Sequence, residues 1–345
     1  MNAIKYGWQM PVEVLEIIFQ MCLPDTDYVS PNTFQAPLLL CQVCGSWRKV
    51  ALFTPSLWSS LSIRLARRPG LWKDFLDSWL GRSGGRPISL SITGFSQSYH
   101  FDEHILKLVV KHSKRWQRLR LDGVRATTRA TLLNTCMPLL ETLEISGGRV
   151  HIFPADIPRL RTLSILDENA DLASVHLPLE RLTVFSASRC MCTLEKCFAF
   201  LAEAKNLTSC TIQLSPTASW ATPQHFLPVH LPHLRKLILI RVGAIGDQAT
   251  TAFFRHAQLP CLDSLELVSS HPESTFELGP YPIFLAPARR SNLRSLHLTG
   301  GQPRDKGLLD TVIAIPSLKV VVITSGSGAE KPLPRDVQET LNLRS

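Results

Sequence analysis

The sequence predicts an α/β fold: a small N-terminal three-helix module followed by a body of stacked strand-and-helix repeats. Three observations predict it. A frame of Pro or Asn followed by L-x-x-L-x-L recurs from PLLETLEI (138–145) to PSLKVVVI (316–323). Segments with helical spacing, such as LEKCFAFLAEAKN (194–206) and GDQATTAFFRHAQL (246–259), separate the copies. The first sixty residues lack the frame and place apolar residues three and four apart instead.

The repeat carries the argument for the body. Between the end copies stand PRLRTLSI (158–165), PLERLTV (178–184), NLTSCTI (206–212), PHLRKLIL (232–239), PCLDSLEL (260–267) and NLRSLHL (292–298). WQRLRL (116–121) is an earlier copy and PISLSI (87–92) a weaker one. The first leucines fall at 140, 160, 179, 207, 234, 262, 293 and 318. Alternation within x-L-x-L makes a short strand with one buried face. No single strand and helix can bury that face alone, so neighbours stack into a solenoid. Over roughly residues 85–330 the chain resembles the leucine-rich-repeat family, whose spacing is about 20–29 residues. The resemblance implies an irregular solenoid with parallel strands on the concave side and helices outside. The family's usual Asn or Cys, three residues after the last repeat leucine, is absent. Gly148, Glu168, Ser215 and Val242 stand in its place.

In the N-terminal segment, Pro11 is suited to open a helix carrying Val14, Leu15, Ile18, Phe19 and Cys22. PDTDYVSPNTFQ (24–35) is a polar connection. Pro37 is expected to open a second helix with the stripe Leu40, Val43, Cys44, Trp47, Val50 and Ala51. Thr54 is expected to cap a third, begun by Pro55 and carrying Leu57, Trp58 and Leu61. Over about residues 8–61 this order resembles the F-box motif, read on Met10, Pro11, Glu13, Leu15, Ile18, Phe19, Val43, Cys44, Trp47, Ala51, Leu57 and Trp58. APLLLCQVCGSWRKVALFTPSLWSSLSI and SWLGRSGGRPISLSI resemble the large F-box families of mushroom-forming fungi.

That resemblance implies a non-catalytic substrate receptor of an SCF-type cullin-RING ubiquitin ligase. Its F-box would dock on the Skp-type adaptor through Pro11, Leu15, Ile18, Phe19, Val43, Cys44, Trp47, Leu57 and Trp58. Its repeats would hold a protein substrate. The implied division is an F-box at 8–61, a linker with an amphipathic helix at 62–86, repeats at 87–330, and a C-terminal cap or tail at 331–345.

Composition bounds these readings. Of 345 residues 45% are hydrophobic and 19% charged, enough apolar material for a large core. No run of about 18 uncharged apolar residues occurs, so no membrane span is expected. Glu13 and Glu16 interrupt the N-terminus before any long apolar stretch, unlike a secretory signal. Nine cysteines, an odd number, then suggest reduced thiols in the cytoplasm or nucleus. The formal net charge is +9, and residues 64–129 carry fourteen Lys/Arg against five Asp/Glu. That basic segment supports a rival reading: a leucine-rich-repeat scaffold or nucleic-acid-binding protein whose N-terminal helices only cap the solenoid. A solvated outer face is the preferred explanation, because Trp116 is the single aromatic among Lys107–Arg129 and holds a core position.

No phosphate-binding, dinucleotide-binding, zinc-protease or nucleophile-elbow motif is present, so no enzyme and no cofactor are expected. Cys41 and Cys44 supply two of the four ligands a structural zinc needs, and the first histidine is His100. Cys44 therefore reads as a small buried apolar group. Cys190, Cys192 and Cys197 form the densest thiol group, and core packing is expected for them. With the leucines facing inward, Leu166, Phe185, Ile238, Ile240 and Val268 become apolar outward positions and the candidate substrate patch.

Overall fold

Every x-L-x-L segment is extended because its β-branched and leucine side chains alternate between a buried and an open face. The computed structural model describes residues 10–65, 70–94, 103–146, 157–166, 177, 179–214, 228–242, 246–269, 275–276, 292–300, 302–303, 305–325 and 329–343. The chain clusters into two units, residues 1–146 with 155–159, and residues 147–154 with 160–345.

Unit 1 begins with α1 (Val12–Met21), α2 (Leu40–Val43), α3 (Gly45–Phe53) and a 3₁₀ turn (Pro55–Trp58). Then follow β1 (Ser60–Leu65), α4 (Gly70–Arg82), β2 (Ile88–Gly94), α5 (Glu103–Lys111), β3 (Trp116–Asp122), α6 (Ala126–Leu133) and β4 (Thr142–Ser146). The four strands are parallel and lie in chain order. Leu61, Leu90, Leu119 and Leu143 align in one buried row, and Ile63, Ile92, Leu121 and Ile145 in the next. The helices add Leu76, Trp79, Leu80, Val109 and Leu132 to the buried set.

Within the expected linker at 62–86 the end of β1 stands ahead of the helix α4, so the sheet begins before residue 87. The signal was in the sequence: SLSI occurs at 60–63 and again at 89–92, and the two copies pair residue for residue. What hid the first copy was its position directly after the 3₁₀ turn, with no Pro or Asn before it.

Unit 2 runs β5 (Thr162–Leu166), β6 (Val184–Cys192), α7 (Leu194–Glu203), β7 (Ser209–Leu214), β8 (Val229–His230), β9 (Lys236–Arg241), α8 (Gly246–His256) and β10 (Ala257–Gln258). It continues β11 (Ser264–Ser269), β12 (Thr275–Phe276), β13 (Ser295–Thr299), β14 (Gln302–Pro303), α9 (Asp305–Ala314), β15 (Val320–Thr324), β16 (Glu330–Lys331) and α10 (Arg335–Asn342). The main sheet has the order β5-β6-β7-β9-β11-β13-β15, closed by β16 running antiparallel. Both helical segments named from spacing, 194–206 and 246–259, contain helices. Their buried faces meet through Phe198 and Phe253, stacked 5.6 Å apart. In the C-terminal segment, α10 buries Val337 and Leu341 rather than trailing as a tail.

A backbone ladder marks the same point of each repeat in this unit. The Arg161 carbonyl accepts from the N–H groups of Thr183 and Val184, and Thr183 accepts in turn from Thr208 and Ser209. The pattern continues from Thr208 to Arg235 and Lys236, Arg235 to Asp263 and Ser264, Asp263 to Arg294 and Ser295, and Arg294 to Lys319 and Val320. It corrects one frame. Thr162 pairs with Val184 and Leu163 with Phe185, so this copy reads Leu182-x-x-Phe185-x-Ala187 and starts at residue 182, not 179. Leu179 forms a 3₁₀ turn ahead of it.

Two glycines follow strand ends in a conformation that favours glycine. Gly123 and Gly300 adopt φ of 61° and 80°, which costs a residue with a Cβ. Their N–H groups donate to the carbonyls of Ser146 (3.1 Å) and Thr324 (3.0 Å), each on the neighbouring strand. A Cβ at either would collide with the carbonyl oxygen of Gly94 or Ser269 respectively.

Candidate functional site

The N-terminal helices have one packed face and one open face. On the packed side Phe19 is wholly buried, with its ring 5.0 Å from that of Trp47. Ala51, Leu57 and Trp58 are fully buried as well. The Trp58 indole N–H donates to the Ala51 carbonyl at 2.8 Å, its ring meets Trp79 edge-on at 4.8 Å, and the Arg82 guanidinium lies 4.8 Å over it. Gln20 donates to the Ser56 hydroxyl at 2.9 Å, tying α1 to the turn.

Several of the exposed side chains are apolar. Val12, Val14, Ile17, Leu39 and Val43 are exposed, while Met21, Phe34 and Phe53 are 81%, 84% and 77% exposed. Beyond this module, the exposed large apolar side chains among the described residues are Ile313, Val320 and Leu343 alone. Each large apolar side chain gains about 1.5–3 kcal/mol when water is removed from it. Eight such side chains in one small module offer area for another polypeptide.

The expected docking residues therefore separate. Pro11 and Val43 are exposed and Leu15, Ile18 and Trp47 half-buried, so these five reach the open side wholly or in part. Phe19, Leu57 and Trp58 are core; they hold the module together and offer no free surface. Ile17 and Met21 are among the exposed apolar residues that the motif reading passed over, with Val12, Val14, Phe34, Leu39 and Phe53. A helical projection of VEVLEIIFQM places Ile17 and Met21 opposite Phe19, which could have found those two.

Cys44 is a second correction. It is exposed, not a buried apolar group, because the expected single helix breaks there: turns fill 33–39, α2 ends at Val43, and Cys44 is extended. Its sulfur caps α3, accepting from the Trp47 N–H at 3.4 Å and lying 3.0 Å from the Ser46 hydroxyl. Those bonds, with Arg48 nearby, hold the Cys44 thiol below the usual range. Pro11 likewise sits just before α1 rather than in its first turn, its carbonyl accepting from Val14 and Leu15. Thr54 caps no N–H; its hydroxyl donates back to Val50 at 2.7 Å.

The strand walls offer a second surface. In unit 2 Ile238 and Ile240 point outward from β9, and Val268 lies beside Ile240 on β11. All three are half-exposed, as are Leu166 and Val322. Thr211, Gln213, Glu266 and Thr299 frame them. Phe185, expected with them, faces the core against Phe200 at 4.2 Å, because its repeat starts three residues later than the leucine frame suggested.

In unit 1 the corresponding positions are polar: Ser60, Ser89 and Arg118 in one row, Ser62, Ser91, Arg120 and Glu144 in the next. The basic segment does not form one face. Arg118 pairs with Asp27, and Arg120 lies 3.8 Å from Glu144. Arg115 donates to the carbonyls of Leu80, Gly84 and Arg86 at the end of α4, and Arg129 is buried. Lys107, Lys111 and Lys114 stand exposed.

Cys190, Cys197 and Cys210 are buried in the core of unit 2. Burial, then the neighbouring Cys190, pushes the Cys197 thiol up to about 12, which keeps it protonated and unreactive. The Cys192 side chain lies outside the described residues. No group of three or more metal-ligating side chains occurs among the described residues, and no helix there is long and apolar enough to cross a membrane.

No protein-family model matches the chain, and no curated protein matches it. A solved structure, the leucine-rich repeat-containing protein LegL7 from Legionella pneumophila, is similar over 97% of this chain and 95% of its own, with 13% identity and a TM-score of 0.39.

Proposed function

We propose that this chain is a non-catalytic receptor: its N-terminal helices dock on the Skp-type adaptor of a cullin-RING ubiquitin ligase, and its repeats hold a protein target. The observation that carries this reading is the open apolar side of α1–α3, with Val14, Ile17, Met21 and Val43 exposed above a packed core. A module that served only to cap the solenoid would bury that side. The three-segment motif over residues 8–61 supplies the identity of the partner. The target would meet Ile238, Ile240 and Val268, the branched apolar cluster on the outward wall of unit 2. The dispersal of Arg115, Arg118, Arg120 and Arg129 into separate contacts within the chain counts against the nucleic-acid alternative.

The test is a pull-down of purified chain with recombinant Skp-type adaptor. The wild type binds, and Val14→Asp with Ile17→Asp abolishes capture while the thermal transition stays in place. Absence of binding by the wild type, or undiminished binding by the double variant, would overturn the assignment.

A further inference from the structure

The connection between α1 and α2 occupies the strand wall of unit 1. Val29 is buried at the free edge of β1: its carbonyl accepts from the Ser62 N–H at 2.7 Å, and its N–H donates to the Ser60 hydroxyl at 3.0 Å. That hydroxyl donates onward to the Asp27 carbonyl at 2.9 Å. The Asp27 carboxylate pairs with Arg118 on β3. Tyr28 is half-buried between Asp27 and Val29, the two residues that tie this segment to β3 and β1. Ser91, which faces outward on β2 between them, is only 4% exposed. The chain thus lays an acidic residue and an aromatic across its own wall.

This strap is anchored firmly at one end and weakly at the other. Val29 holds through buried apolar contact and backbone bonds. The Asp27–Arg118 pair is about half exposed on both sides, where ion pairs contribute little. The Tyr28 hydroxyl is buried without a hydrogen-bond partner among the described residues, a desolvation that opposes closure. We propose that the wall of β1–β4 is a binding face for an extended protein segment carrying an acidic residue followed by an aromatic one, and that Asp27–Val29 is the internal occupant keeping it closed. Arg118 and Arg120 take the acid, and the neighbouring wall surface takes the ring. An external segment must displace a tethered competitor whose effective concentration is in the millimolar range, so the closed chain binds weakly. Closure of the wall does not depend on adaptor docking: its readout is peptide affinity, while docking is tested by adaptor capture with Val14→Asp and Ile17→Asp.

The probe is a fluorescent peptide with the strap's own sequence, PDTDYVSPN, followed by anisotropy on the full chain. Asp27→Ala with Tyr28→Ala binds the peptide at least ten-fold more tightly than the wild type. Adding Arg118→Ala and Arg120→Ala reverses the gain, and so does raising salt, since the acid contact is screened. Equal binding by wild type and strap variant, or a gain indifferent to the arginines, overturns the idea. If the double variant loses its cooperative thermal transition, Asp27→Asn, which keeps the ring and the side-chain size, serves instead. Its peptide affinity must still exceed that of the wild type; otherwise the strap is a fixed part of the fold.

Discussion

The two strand walls are built from one motif and used in opposite ways. In unit 1 the outward positions include Ser, Arg and Glu, and a segment of the same chain is tied to them through Asp27. In unit 2 the outward positions include Ile238, Ile240 and Val268, half-exposed with polar neighbours around them. The inward residues of both are mostly leucines and isoleucines, with Phe185, Ala187, Cys210 and Val321 as exceptions in unit 2. The contrast teaches that L-x-x-L-x-L constrains only the buried face. The intervening residues are free to repel water, carry charge or bind the chain's own loop, because none contributes to core packing.

The largest expected effect tests which face a residue occupies. Phe185→Ala removes a ring packed on Phe200 and lowers stability by about 3–5 kcal/mol in urea titrations. A loss within about 0.5 kcal/mol would return Phe185 to the outward wall. Gly300→Ala comes next. Its positive φ and the Ser269 carbonyl together predict a loss above about 1 kcal/mol, against the usual gain when a glycine is replaced. On the open wall of unit 2, Ile240→Thr keeps a β-branched side chain and costs under about 1 kcal/mol by the same titration. On the closed wall, Arg118→Ala costs about 0.2–1 kcal/mol, since the pair it breaks is solvent-exposed, and the cost shrinks in high salt.

Thiol chemistry sharpens the contrast between surface and core. The folded Cys197 thiol is raised to about 12, above the ~8.5 of an unfolded thiol, so its contribution to stability is complete below ~8.5 and is lost as pH rises toward 12. Cys44, exposed and shifted downward, alkylates in native buffer at a rate that climbs with pH from below the ordinary thiol range. Mass spectrometry after iodoacetamide should find Cys44 labelled and Cys190, Cys197 and Cys210 protected until denaturant is added. Labelling of Cys197 in native buffer would contradict the buried cluster.

Much of this was legible in the residues. The leucine frame located most main strands, and helical spacing located α1, α7 and α8. Three readings failed for local reasons. PLERLTV contains two overlapping frames, and only pairing with β5 selects Leu182 over Leu179. The stripe from Leu40 to Ala51 looks continuous, yet Cys44 leaves helical geometry, and a periodic pattern cannot register one extended residue. Trp58 reads as a docking residue from motif order, while Trp79, twenty-one positions on, claims it for the core.

By itself the sequence determined what repeats and what is apolar: the alternating strands, the helical stripes, the thiol-rich segment and the imbalance of charge. Those properties are local, set by periods of two and three to four residues that any stretch of chain must obey. Only the tertiary structure decided which apolar side chains stay open, that Asp27 pairs with Arg118 on the third strand, and that Phe185 points inward. Such outcomes depend on pairing between residues distant in the chain, where burial and register are settled jointly and no local period carries the information.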